Sequence, residues 1–261
     1  MIYITGANGL IGSRFLKIYD GEVTTISYRD DVTDVFDSHE NSCLIHLAWS
    51  STTRNTYDEF EKVIKNDVIN SKTLFDYYVK KNPNGKIIFI SSAGDLHLGY
   101  ERTVCEEHEP SPHSLYGECK LHVENILKEL SCKTVVLRIS NIWGADVNSN
   151  RINGLVDKLT NSLNTDQVIE IFADLKTKID LVHIDDFVNL LIKVINADTK
   201  KQNELFLVGR QSICICDIID ILSKRGSLNL RINQKAEKTY LHIETSKVRK
   251  TFDWQPNHIL K

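Results

Sequence analysis

Ile2-Tyr-Ile-Thr5, running directly into Gly6-Ala-Asn-Gly-Leu-Ile-Gly12, decides how the rest of this chain is read. The first four residues are an apolar run suited to a buried strand. Ser13-Arg-Phe-Leu-Lys-Ile-Tyr19, after the glycines, has the periodicity of a helix. Strand, glycine turn and helix in immediate succession form the opening of a dinucleotide-binding unit. Gly6 permits the tight turn, Gly9 lets the backbone approach a pyrophosphate, and Gly12 lets helix and strand pack closely. The N-terminus of the helix then offers N–H groups to phosphate oxygens.

Working outward, strand and helix signals alternate. Strands are expected near Tyr3, Thr25, Leu44, Ile88, Val136 and Phe206. Helices are expected around Phe15, from Val63 to Tyr78, Leu115 to Leu130, Gly154 to Leu163, and Asp186 to Ile195. That alternation predicts an α/β fold, a mainly parallel sheet covered on both faces. No internal repeat or low-complexity linker interrupts it.

The second chemical signal lies in Ser114-Leu-Tyr-Gly-Glu-Cys-Lys120. A spacing of four sets Tyr116 and Lys120 on one helix face. There an ammonium beside a phenol is expected to stabilise the phenolate and lower its pKa from near 10. A phenol tuned in this way exchanges a proton with an alcohol or ketone near neutral pH.

Composition narrows the class. The 261 residues suffice for one large domain, or one with a smaller appendage. Hydrophobic residues make up 41%, enough for a sizeable core, and no apolar stretch approaches the ~20 residues of a membrane span. The net charge of −3 gives no basic footprint for nucleic acid. Met1 runs straight into a core strand, leaving no room for a signal peptide, so a cytoplasmic protein is expected. Cys43, Cys105, Cys119, Cys132, Cys214 and Cys216 are scattered, which argues for free thiols and against a metal site.

Taken together, the glycine turn and the Tyr116–Lys120 pair resemble the extended short-chain dehydrogenase/reductases, in the branch of nucleotide-sugar epimerases, dehydratases and ketoreductases. The resemblance runs nearly end to end. Cys43-Leu-Ile-His-Leu-Ala48 looks like the strand that passes under the cofactor, and Asn66 matches a helix asparagine near it. Ile87-Ile-Phe-Ile-Ser-Ser92 matches the strand that delivers the catalytic serine, and Glu109-Pro-Ser-Pro-His-Ser-Leu-Tyr116 the approach to the tyrosine. Leu137-Arg-Ile-Ser-Asn-Ile-Trp-Gly144, Leu181-Val-His-Ile-Asp-Asp186 and Phe252-Asp-Trp-Gln-Pro256 resemble later landmarks.

The resemblance implies a Rossmann-type doubly wound parallel sheet with a small, discontinuous C-terminal substrate-binding lobe. Residues 1–145 plus 180–208 would form the cofactor domain, and 146–179 plus 209–261 the lobe. Cofactor contacts would come from Gly6, Asn8, Gly9, Leu10, Ile11, Gly12, Arg29, Asp31, Val32, Leu47, Ala48, Asn66, Tyr116 and Lys120. Ser92, Tyr116 and Lys120 would be catalytic, and Ser91, Ser92 and Asn141 would touch substrate, with Ser91 the alternative to Ser92 as catalytic hydroxyl. The alternative for Asn141 is a turn-capping residue.

Departures from the family pattern refine this. Ser27-Tyr-Arg-Asp-Asp-Val-Thr-Asp34 moves almost directly from strand end to adenine-side loop, the abbreviated form of sugar-nucleotide 4-ketoreductases. Arg29 stands where NAD-selective members carry an acidic residue, which favours NADP(H) over NAD(H), although Asp30 and Asp31 lie next to it. Where dehydratases carry an Asp-Glu pair, this chain has Gly94 and Asp95, so elimination loses ground. Relatives commonly place an arginine before the residue matching Asp180, and Ile179 stands there instead. Lys176, Lys178 and Arg151 are the candidates to replace it. His183 reads as structural, Arg138 as a strand-end tether, and Trp49 and Trp143 as pocket or core residues.

The implied activity is NAD(P)-dependent reduction of a nucleotide-linked 4-keto-6-deoxyhexose by a homodimer. The alternatives are a nucleotide-sugar 4-epimerase with retained NAD and a non-catalytic dinucleotide-binding protein.

Overall fold

Both faces of the first strand are apolar, and each is buried against a different set of helices. The computed structural model describes residues 1–27, 32–100, 102–146, 154–198, 202–233 and 238–261. The strands are β1 (Ile2–Thr5), β2 (Val23–Ile26), β3 (Cys43–His46), β4 (Lys86–Ser92), β5 (Lys133–Ile139), β6 (Asn141–Trp143), β7 (Val168–Ile171), β8 (Lys178–His183), β9 (Asn203–Val208), β10 (Gln211–Cys214) and β11 (Asn229–Ile232). The helices are α1 (Leu10–Ile18), α2 (Phe60–Val63), α3 (Asn70–Lys81), α4 (Ala93–Leu96), α5 (Leu115–Lys128), α6 (Leu155–Asn161), α7 (Ile184–Asn196), α8 (Ile215–Ser223) and α9 (Ser246–Phe252).

Six strands form one parallel sheet in the order β2-β1-β3-β4-β5-β9. Alternation along each strand sorts its side chains between two cores. Ile2, Ile4, Ile45, Ile88 and Leu137 join α1 and α7 on one face. Tyr3, Leu44, Ile87, Phe89 and Val136 join α3 and α5 on the other. The order reverses at β1, with β2 on one side and β3 on the other, so a crevice opens at the carboxyl ends of β1 and β3.

A second sheet, β10-β8-β6, and a parallel pair, β11-β7, build the smaller lobe around Val156, Leu159, Ile169, Ile171, Ile213, Ile218 and Leu222. β8 belongs to both bodies: Leu181 packs into the lobe core and Val182 into the large one. The C-terminal stretch assigned to the lobe is divided in the structure. Val248, Phe252 and Trp254 pack into the core of the large sheet, where Phe252 meets Phe206 of the edge strand β9 at 4.9 Å. The reason is an edge strand that needs an apolar cover, which α9 provides.

Candidate active site

The glycine turn has the shape a dinucleotide requires. Gly6 has φ +66°, and a Cβ there would lie 2.7 Å from the Ala48 nitrogen, so the turn after β1 presses on the chain leaving β3. A Cβ on Gly12 would lie 2.3 Å from the Gly6 carbonyl oxygen. Asn8 and Gly9 are exposed, and α1 starts from Gly9 with no side-chain cap, which leaves the N–H groups of its first turn for an outside acceptor. These features fit a bound pyrophosphate. Thr5 fastens the floor of the crevice: its Oγ1 accepts the N–H groups of Leu47 and Ala48, both at 3.1 Å, and hydrogen-bonds His46 Nδ1 at 2.9 Å. His46 Nε2 reaches Ser71 at 2.8 Å, and burial pushes its pKa down to about 3, so the ring is a neutral spacer. Val32 is half-buried against the α3/α5 core.

Farther along the same sheet edge, β4 ends at Ser92 and α5 begins at Leu115. Ser114 caps α5 by accepting the Gly117 N–H at 3.3 Å. Asp95 draws α4 and α5 together, accepting from His113 N at 3.2 Å and Ser114 Oγ at 2.8 Å. Gly117 is required there, since a Cβ would lie 1.8 Å from Asp95 Oδ1. The Ser92 hydroxyl is thereby brought close enough to Tyr116 to lower the phenol's pKa. Tyr116 is half-buried, and burial pushes its phenol up to about 12 against the lowering effect of Ser92. Lys120 is buried, donates to the Ile90 carbonyl at 2.8 Å, and lies 3.6 Å above the Trp49 ring. Burial takes its pKa down to about 7, with Asp67 and Glu124 pulling the other way.

Behind the dyad lies a buried polar network centred on Glu124. Glu124, one more turn along α5, receives Arg138 Nε at 3.0 Å and Nη2 at 2.6 Å, and Ser91 Oγ at 2.5 Å. Arg138 Nη1 meets His97 Nε2 at 3.0 Å. Lys158 of α6 is half-buried and its pKa is lowered by burial and by the nearby Arg54; neither has an ion-pair partner among the described residues. On the lobe side Asn141 is exposed and donates to the Asp180 carbonyl at 3.1 Å. Burial raises the Asp180 carboxyl to about 6.

The family model described as the NAD dependent epimerase/dehydratase family matches residues 2–209. This chain belongs to the NAD-dependent epimerase/dehydratase family. Among curated relatives of this epimerase-family chain, the dTDP-4-dehydro-6-deoxyglucose reductase of Escherichia coli is 25% identical over 213 residues. The match covers 79% of this chain and 64% of that protein, so the chain spans less than two thirds of the relative's length. A UDP-glucuronic acid 4-epimerase from Bacillus cereus, solved with UDP-glucuronic acid and NAD, superposes with a TM-score of 0.83 at 20% identity. That comparison covers 99% of this chain and 95% of the other. The RMD protein from Pseudomonas aeruginosa, solved with NADPH, has a TM-score of 0.83 at 15% identity, covering 99% and 94%. These structural likenesses show the fold, and no described helix is long and apolar enough to cross a membrane.

Neighbouring residues sort sharply between surface and interior in this family member. Asn66 is exposed, whereas Asp67 is buried and accepts from Ser50 N, Ser50 Oγ and Ser51 N at 2.8, 2.7 and 2.9 Å. Asp67 shares a helical stripe with Ser71, Leu74, Phe75 and Tyr78, and Asn66 is one residue off it. Ser91 is 2% exposed and spent on Glu124, so of the two serines only Ser92 faces Tyr116. The lowered phenol pKa is also reversed, because burial raises it, the Asp95 and Asp67 carboxylates add to that rise, and Lys120 sits on Trp49. Tyr28, Arg29, Asp30, Asp31 and Arg151 lie outside the described residues. His183 caps α7 through Asp185 N at 3.2 Å, and Asp185 is engaged by Arg14 at 2.6 Å. Glu124 escaped the sequence reading although its signal was present: Tyr116, Lys120 and Glu124 continue one spacing of four along α5.

Proposed function

We propose that this chain reduces a nucleotide-linked 4-keto-6-deoxyhexose, of the dTDP-4-dehydro-6-deoxyglucose type, with a nicotinamide dinucleotide. The observation that carries the reading is the Ser92–Tyr116 hydroxyl pair at the carboxyl edge of the sheet, beside a buried Lys120. Residues Gly6 to Gly12, Leu47 and Ala48 would hold the cofactor, which when bound supplies the hydride for C4. Ser92 and Tyr116 hold the keto oxygen by two hydrogen bonds, and Tyr116 passes its proton to that oxygen as the C4–O bond becomes an alkoxide. Burial keeps the phenol protonated, which is the form that a reduction consumes. Lys120 then offsets the phenolate charge. A dehydration would need a separate acid and base, but Asp95 is committed to His113 and Ser114 and its neighbour is Gly94.

Arg54 and Lys158 are the cations we assign to the substrate diphosphate, in place of the arginine that Ile179 lacks. Lys176 and Lys178 are exposed. Asn141, exposed at the edge of the same lobe, would add a polar contact. A homodimer through α3 and α5 fits the exposed Tyr57, Phe60 and Ile69 on the neighbouring stretch, where the Tyr57 hydroxyl ties to Glu118 of α5 at 2.5 Å. Such an enzyme would work in the cytoplasm, feeding polysaccharide synthesis.

The test is turnover of a dTDP-4-keto-6-deoxyhexose, following nicotinamide absorbance alongside chromatography of the sugar nucleotide. Stoichiometric oxidation of reduced cofactor supports the reductase. Interconversion of two nucleotide hexoses without net cofactor consumption replaces it with the 4-epimerase, and cofactor binding without either reaction leaves a non-catalytic binder. Running the assay with NADPH and NADH on wild type and Arg29→Ala settles cofactor choice: a loss confined to NADPH is expected if Arg29 pairs with a 2′-phosphate.

A further inference from the structure

We propose that the Trp49 indole is the resting seat of the Lys120 ammonium and that Asp67 fixes this seat, which makes Trp49 and Asp67 positioning residues for the Tyr116–Lys120 dyad. Lys120 is 5% exposed and has no ion-pair partner among the described residues. Its Nζ lies 3.6 Å from the centroid of Trp49 and 4.8 Å from that of Phe89, and its directed hydrogen bond goes to the Ile90 carbonyl. A buried cation over an indole face is held by the ring quadrupole.

The indole is itself anchored. Its Nε1 donates to Ser51 Oγ at 2.9 Å, and Ser50 and Ser51 are gripped by both oxygens of Asp67. Its edge meets the Tyr116 ring at 6.2 Å, so the seat, the lysine and the phenol share one wall. The charged and titratable groups facing Lys120 are Asp67 from the segment between α2 and α3, Glu124 and Tyr116 from α5, and His46 from β3. Glu124 is closed off by Arg138 and Ser91, and His46 is held neutral by burial. A carboxylate in direct contact would hold the ammonium by strong directed bonds. An indole attracts it without a fixed direction, and so leaves it able to move toward Tyr116 when a reaction needs it.

This inference rests on the dyad as the working site but not on the identity of the reaction, and its test needs neither cofactor nor substrate. Tryptophan emission of the cofactor-free protein is titrated through the neutral pH range, and the Trp49 contribution is taken as the difference between wild type and Trp49→Phe. That subtraction removes Trp143, which meets His183 edge to face, and Trp254. The expected result is a single transition that Lys120→Met abolishes and that Asp67→Asn moves to lower pH, because the carboxylate favours the protonated amine. A transition that survives in Lys120→Met, or no Trp49 transition in wild type, overturns the seat. An unmoved midpoint in Asp67→Asn overturns the part given to Asp67. If Trp49→Phe fails to fold, wild type against Lys120→Met decides alone. In turnover, Trp49→Phe should lower kcat several-fold at unchanged KM for the nucleotide sugar; a change in KM alone would make Trp49 a pocket wall.

Discussion

Helix α5 carries buried charge at two levels, and the two are held in opposite ways. At Glu124 each carboxylate oxygen has a directed partner, from Arg138 on β5 and Ser91 on β4. One turn earlier, Lys120 has, among the described residues, one carbonyl and the face of an indole. The first arrangement ties a helix to two strands and fixes where Ser92 stands against Tyr116. The second leaves a cation under-bonded, with its pKa brought down to about 7. A complete network makes a scaffold, whereas an incomplete one leaves a group able to change partners.

The largest expected effect tests the scaffold. Glu124→Ala strands Arg138 in the interior and should lower unfolding stability by about 3–5 kcal/mol, read from denaturant titration. A loss of only a few tenths would mean that the brace is ornamental. Next, Tyr116→Phe should reduce turnover of the 4-keto sugar nucleotide at least ~100-fold, with cofactor affinity and melting temperature nearly unchanged. Near-normal turnover would remove the phenol from the mechanism and the dyad from the comparison.

A smaller effect belongs to the cations assigned to the diphosphate. Arg54→Ala and Lys158→Ala should each raise KM for the nucleotide sugar roughly tenfold, the scale of one charge-assisted hydrogen bond, and leave cofactor affinity alone. Equal weakening of cofactor and sugar would move the pair to the wrong ligand. The smallest effect sharpens the contrast between the two buried charges. Because the folded pKa of Lys120 lies below the ordinary lysine value of 10.5, the unfolded chain binds the extra proton between about pH 7 and that value. Stability from this group therefore rises with pH through that window, and the penalty of burying charge is fully present below it. Lys120→Met should melt higher than wild type, by a few degrees at most, on the acid side, with the advantage fading toward alkaline pH. A constant difference across the range would show that the ammonium is not desolvated.

Residues whose role follows from backbone geometry were legible in the chain. Glycines at 6 and 12 are required wherever a Cβ would meet backbone, and both collide on replacement. The parallel sheet followed from apolar runs alternating with helical stripes, and Tyr116 with Lys120 from a spacing that one helix converts into adjacency. Positions set by facing were less secure. Ser91 and Ser92 are neighbours on a strand, where successive side chains point to opposite sides, and only the packing of α5 shows which side holds the tyrosine. Asn66 and Asp67 are successive residues of a π-helical stretch, Ile64–Ile69, and one step around it exchanges solvent for the interior.

The sequence by itself determined the α/β class, the glycine turn, the adjacency of Tyr116 and Lys120 and the family, because these depend on local conformation and on spacings within single elements. Tertiary structure alone decided which serine meets the phenol, that Asp67 and Glu124 stand around Lys120, that α9 closes the edge of the large sheet, and that burial holds Tyr116 protonated. Those outcomes depend on desolvation and on contacts between residues far apart in the chain, which exist only once the helices have packed on the sheet.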